Sequence, residues 1–85
     1  MTGEDLRHAL FDYLSERRAH AFSADVLRRA IQRSHGEEIE AARLLENIDL
    51  LIADGLVMRN RDPLGSTHFY RISPQGLYKR QAGES

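Results

Sequence analysis

The chain has 85 residues, with twelve Lys and Arg against thirteen Asp and Glu, a net charge of -1 and no cysteine. A chain of this length buries roughly 60 to 65 per cent of its unfolded surface around one core, which leaves a deep enzyme pocket little room. The missing thiols exclude a disulfide framework, a thiolate zinc site and a thiol nucleophile, and no apolar run approaches the roughly 20 residues that span a bilayer. The polar start Thr2-Gly3-Glu4-Asp5 is unlike a secretory signal, so the expectation is one cytoplasmic domain over residues 1–85, with no cofactor.

Charge is unevenly distributed along the chain. Residues 1–16 sum to -3, residues 17–35 to +4, residues 36–54 to -5 and residues 55–85 to +3. Such alternation can place a basic surface on an acidic protein. Of the twelve cations only Lys79 is a lysine, and arginine is the better fork for phosphate and guanine.

The first helix is expected over 4–18, with Leu6, Ala9, Leu10, Tyr13 and Leu14 at helical spacing and acids in the first turn, where the macrodipole favours them. Phe11 lies at the margin of that stripe, as a core edge or a dimer contact. Ala21-Phe22 is a short extended link whose ring should plug the core. Ser23 is a good N-cap for a second helix over 23–33, with Leu27, Ala30 and Ile31 inward and Arg28, Arg29, Gln32 and Arg33 outward.

The third helix is expected over 37–54 and is the longest. Ala41, Leu44, Leu45, Ile48, Leu51 and Ile52 form its apolar stripe, while Glu40, Arg43, Glu46, Asn47 and Asp54 lie opposite. Ser34 and Glu37 have capping-box spacing, but a start at Glu40 is equally open and would let Ile39 enter the core from the turn. Leu50 faces solvent. Gly55 supplies the left-handed residue that ends a helix without strain.

Leu56 to Arg61 and Thr67 to Ile72 form a hairpin over 56–72, with Tyr70 and Ile72 inward, Phe69 and Arg71 on the other side, and Leu64 at the tip. Ser73-Pro74 then opens a short helix over 74–81, serine as N-cap and proline at the first helical position.

This order of elements, an α+β and mostly α pattern of three helices, a two-stranded hairpin and a short final helix, is that of a winged helix-turn-helix. Ala53-Asp54-Gly55-Leu56-Val57-Met58-Arg59 and Tyr70-Arg71-Ile72-Ser73-Pro74-Gln75-Gly76 resemble the recognition-helix end and returning strand of bacterial regulators of the multiple-antibiotic-resistance and phenolic-acid types. Phe22-Ser23-Ala24-Asp25 with Gly36-Glu37-Glu38-Ile39 resembles the DNA-binding half of ferric uptake regulators. That family's Thr-Val-Tyr-Arg recognition run is replaced here by Arg43, Leu44, Leu45 and Glu46, and no counterpart of its metal-binding dimerisation domain is expected within these 85 residues.

The resemblance implies a non-enzymatic transcriptional regulator that binds double-stranded DNA as a homodimer. On the usual docking the third helix enters the major groove, Arg43 and Asn47 meet base edges, and Arg28, Arg29, Arg33, Arg59, Arg61 and His68 sit on phosphates. Glu37, Glu38 and Glu40 oppose this by placing carboxylates where phosphate would approach, although as helix-start residues they are ordinary. The competing class is a winged helix for protein contact, through Phe11, Leu50, Leu64 and Phe69. His8, His20, His35 and His68 lie on four separate elements with no short metal-ligand spacing, and no phosphate loop or nucleophile elbow is present.

Overall fold

The computed structural model of the protein describes residues 1–83. Its elements run α1 (Gly3–Glu16), β1 (Phe22–Ser23), α2 (Ala24–His35), α3 (Ala41–Ala53), β2 (Val57–Arg61), β3 (His68–Ile72) and α4 (Pro74–Gly83). Among the described residues no helix is long and apolar enough to cross a membrane.

Local chemistry sets most of these boundaries. The Thr2 hydroxyl accepts the Asp5 amide (3.0 Å) while the Asp5 carboxylate accepts the Thr2 amide (3.4 Å), a capping box that starts α1. Those bonds to Thr2 favour the ionised carboxylate and hold the pKa of Asp5 below its ordinary value. The expected helix over 4–18 stops at Glu16, because Arg17 leaves helical backbone and lays its guanidinium over the Tyr13 ring, 3.9 Å from the centroid. Ser23 caps α2 through the Val26 amide (3.3 Å), as its position suggested, and the helix continues two residues beyond 33 to end on left-handed Gly36 (φ 66°).

The third helix begins at Ala41, later than the expected 37. Residues 37–40 form a non-helical link in which the Ile39 amide donates to the Gln32 side-chain carbonyl (2.8 Å), and Ile39 is buried from there. Glu37 and Glu38 therefore lie outside the helix, and Glu40, the N-cap, makes no side-chain capping bond. Ser34 and Glu37 form no capping box. At the other end Gly55 takes the left-handed conformation (φ 75°) and turns the chain into β2. The final helix extends past 81 to Gly83.

The hairpin is part of a three-stranded antiparallel sheet of order β1-β3-β2, so the Phe22 link contributes a short strand that pairs Phe22 with Tyr70 and Ser23 with Phe69. The core is Leu6, Leu10 and Leu14 of α1, Leu27 and Ile31 of α2, Ile39, Leu44, Ile48 and Leu51 around α3, and Val57, Tyr70 and Ile72 of the sheet. Burying each of these side chains contributes about 1.5 to 3 kcal/mol against leaving it in water.

A clasp at the base of the hairpin joins three elements. The buried Ser73 hydroxyl donates to the Gly55 carbonyl (2.6 Å) and accepts the Gly76 amide (2.8 Å), while the Ser73 amide donates to the Leu56 carbonyl (3.0 Å). Gly76 is required by space: a Cβ there would lie 2.2 Å from the Leu56 carbonyl oxygen. The end of α3, the start of β2 and the start of α4 are thus held as one unit.

Candidate nucleic-acid interface

Directly opposed residues in an antiparallel pair put their side chains on the same face. Val57 opposes Ile72, Arg59 opposes Tyr70 and Arg61 opposes His68. Because Val57, Tyr70 and Ile72 are buried, the exposed Arg59, Arg61 and His68 prolong the core-facing side of the sheet beyond the edge of the core. That side looks toward α3: the Arg59 guanidinium reaches the Asp49 carboxylate at 3.6 Å. At the turn, Arg61 bonds the Gly65 carbonyl (3.4 Å) and Asp62 accepts the Leu64 amide (3.0 Å), leaving Leu64 almost wholly exposed. The two arginines and the histidine of the hairpin expected from sequence are therefore on one face.

The solvent side of α3 is different in character. Arg43, Leu45, Glu46, Asp49, Leu50 and Asp54 are exposed on it, so one cation accompanies three carboxylates, with Glu37, Glu38 and Glu40 just before the helix. Arg43 is exposed but its guanidinium donates to the Met1 carbonyl (2.7 Å), and Glu37 pairs with the Met1 amino group (2.9 Å). Leu45, expected within the apolar stripe, is 38% exposed.

Asn47 is the clear correction. Its expected place was the outer face, yet it is only 5% exposed, on the same side of α3 as buried Leu44, Ile48 and Leu51. The Asn47 carbonyl accepts from the Arg7 guanidinium (2.9 Å) and its amide donates to the Arg43 carbonyl (2.8 Å). Both halves of the amide bond within the protein and the side chain is buried, away from the exposed surface of α3. One step before Ile48 on the helix, Asn47 sits at the polar margin of the stripe, and only a partner 40 positions away turns it inward.

The arginines of α2 do not join the hairpin group as a set. Arg28 and Arg29 both bond Asp25 (3.2 and 3.1 Å), which offsets half of their charge. Arg33 lines the groove between α1 and α2, with Asp5, His8, Asp12 and Glu37, and shares it with no hairpin residue. Arg18 and Arg71, which the sequence did not single out, lie together beneath the opposite face of the sheet. Of the apolar residues expected to meet a partner, Phe11 is half-buried against the core and Phe69 is half-buried, while Leu50 and Leu64 are exposed. Among the described residues no group of three or more His, Cys, Asp or Glu is arranged to hold a metal.

Comparison with known proteins places this geometry. RosR of H. salinarum superposes with a TM-score of 0.73 at 23% identity, covering 93% of this chain and 71% of that one. A transcriptional regulator from Clostridium thermocellum gives the same TM-score at 18% identity, covering 93% and 78%. The fold is a winged helix. A PadR-family transcriptional regulator from Eggerthella lenta shares it, with a TM-score of 0.64, 24% identity and coverage of 94% and 73%. No family model matches the sequence, and no curated protein matches it. In winged-helix terms α3 is the third core helix, the β2–β3 hairpin is the wing, and β1 completes its sheet.

Proposed function

We propose that the chain is a DNA-binding winged-helix module of a small transcriptional regulator, in which the wing rather than α3 supplies most of the grip. The observation that carries this is the alignment of Arg59, Arg61 and His68 on the one sheet face that flanks α3. A duplex lying along α3 would bring its phosphates to that face, with Arg28 and Arg29 of α2 as further cations and Arg43 as the cation of α3 nearest a base edge. Winged-helix regulators of known structure with this fold support the same reading. Homodimerisation belongs to the proposal, because one such module covers a half-site.

The acidic surface of α3 sets the expected strength. Carboxylates at Glu46, Asp49 and Asp54 repel phosphate, so affinity for random duplex should be modest and should fall steeply with salt, with a slope of about -0.9 per neutralised phosphate. An anisotropy titration with random duplex at two salt concentrations measures that slope. Reversing Arg59 and Arg61 to Glu should flatten it by about one unit for each phosphate that the wing no longer neutralises. Unchanged affinity and slope in that double variant would remove the wing from the mechanism.

A second reading has its own observation. Leu45 and Leu50 are 38% and 49% exposed on an otherwise acidic helix, and Leu64 is bare at the wing tip, a surface suited to protein contact. Absence of binding to any duplex at low salt would favour it.

A further inference from the structure

The sheet has a second face, which the DNA reading does not use. Met58, Asn60 and Arg71 alternate with the residues of the α3-facing side and so point away from it. Together with Arg18, Ile72, Ser73, Pro74 and Leu77 they line a groove of about 370 Å³ between the sheet and α4. Its exposed apolar surface is Met58, 43% exposed, with half-buried Leu77 beside it, while Ile72 turns its side chain to the core on the other face. Its cations are Arg18 and Arg71, and among the described residues no carboxylate lines it. Arg71 donates to the Arg18 carbonyl (3.4 Å), which holds it beside Arg18, and the Arg18 guanidinium has no hydrogen-bond or ion-pair partner among the described residues.

We propose that this groove docks an acidic segment of a partner protein through an apolar anchor residue, independently of DNA. Two guanidiniums without a local counter-charge call for carboxylates, which they hold in bidentate fashion. The apolar surface decides between acidic ligands. A phosphate backbone gains nothing from Met58 and Leu77, whereas a peptide that alternates glutamate or aspartate with leucine or phenylalanine uses that apolar surface and both cations. The volume suits a single anchor side chain of that size with its flanking backbone. Because Arg59, Arg61 and His68 lie on the reverse face, such a partner and a duplex could be bound together, which would let the module connect DNA to a second protein.

The test uses the full chain and two fluorescein-labelled peptides of equal length and charge, one of glutamates interspersed with leucine and phenylalanine, the other of glutamates with serine in their place. The apolar-containing peptide should bind and the serine peptide should bind at least about tenfold more weakly. Arg18→Glu with Arg71→Glu should lower affinity for the first peptide by about tenfold or more, and Met58→Asp should do so comparably. Arg59→Glu with Arg61→Glu should leave it within about twofold, since those residues lie on the other face. Thermal melts by circular dichroism establish that each variant is folded before its affinity is compared. Equal binding of both peptides, no binding of either, or unchanged affinity in the Arg18/Arg71 variant would overturn the proposal. So would a random duplex that loses as much affinity in the Arg18/Arg71 variant as in the Arg59/Arg61 variant, because the groove would then belong to nucleic acid.

Discussion

The wing and α3 lie side by side and carry opposite charge. One sheet face offers Arg59, Arg61 and His68, while the helix it flanks exposes Glu46, Asp49 and Asp54 against Arg43 alone. In a winged helix that relies on its recognition helix for affinity, both surfaces would be expected to attract phosphate. On the docking proposed above, the division would separate grip from reading: the wing would supply attraction, and the helix would tolerate a duplex only where specific contacts repay the repulsion. Among the described residues the Arg59–Asp49 pair is the single ion pair between them, so their relative placement depends on the clasp around Ser73 and Gly76.

Breaking the clasp should therefore have the largest effect. A Cβ at Gly76 meets a carbonyl that the Ser73 amide already holds, so neither can retreat. Gly76→Ala should cost about 3 kcal/mol in urea denaturation, at the upper end of what overpacking does. Gly36→Ala serves as its control, since no atom lies within 4 Å of a Cβ there and only the left-handed backbone opposes it, at about 1 kcal/mol. A Gly76 variant no less stable than the Gly36 variant would show that the wing base is not fixed as described.

Asn47 tests which surface of α3 reads anything. Asn47→Ala removes the acceptor for the half-buried Arg7 guanidinium and opens a small void between α1 and α3, and it should destabilise by about 1 to 3 kcal/mol. The variant's preference among duplex sequences should not change. The opposite result, intact stability with altered sequence preference by competition titration, would return Asn47 to the base edge.

The same residue shows where sequence reasoning stops. Ser23 as cap, Gly55 as helix end and the inward set Tyr70 and Ile72 were legible, because each depends on a local backbone requirement or a short apolar period, while Ile39 buried from a turn was one of two open alternatives. The β1 strand was not legible, since two residues carry no alternation and gain strand geometry only from pairing with Phe69 and Tyr70. That the wing carries exposed arginines was legible, and the period of two in the paired strands puts Arg59, Arg61 and His68 on one face. The candidate site was illegible on α2 and α3, where Asp25, Asp49 and Arg7 decide what each side chain does from a neighbouring turn or a distant element.

The start of α3 offers a change that should improve both properties. The first helix has a reciprocal cap in Thr2 and Asp5, whereas α3 has Glu40 at the cap position with no side-chain bond. Glu40→Ser should raise stability by about 0.5 to 1 kcal/mol, because a serine hydroxyl reaches the free amides of the first turn where glutamate does not. It also removes one carboxylate from the approach to the helix, so affinity for random duplex should rise. Higher melting temperature without tighter DNA binding would mean that the start of α3 is not near the phosphates.

The smallest effect on stability should come from Asp49→Asn, and it bears most directly on the contrast between the two surfaces. The Arg59–Asp49 pair is long at 3.6 Å, and its side chains are 46% and 61% exposed, so solvent screens most of the attraction. Loss of such a pair costs roughly a few tenths of a kcal/mol. Its effect on DNA should be of the other sign and larger, since one substitution removes a repelling charge from α3 and frees Arg59 to meet phosphate. Tighter duplex binding with a salt slope steeper by up to about one unit is the expected result in anisotropy titrations. If affinity and slope stay unchanged while Arg61→Glu still weakens binding, the duplex touches only the wing tip and α3 faces something other than nucleic acid.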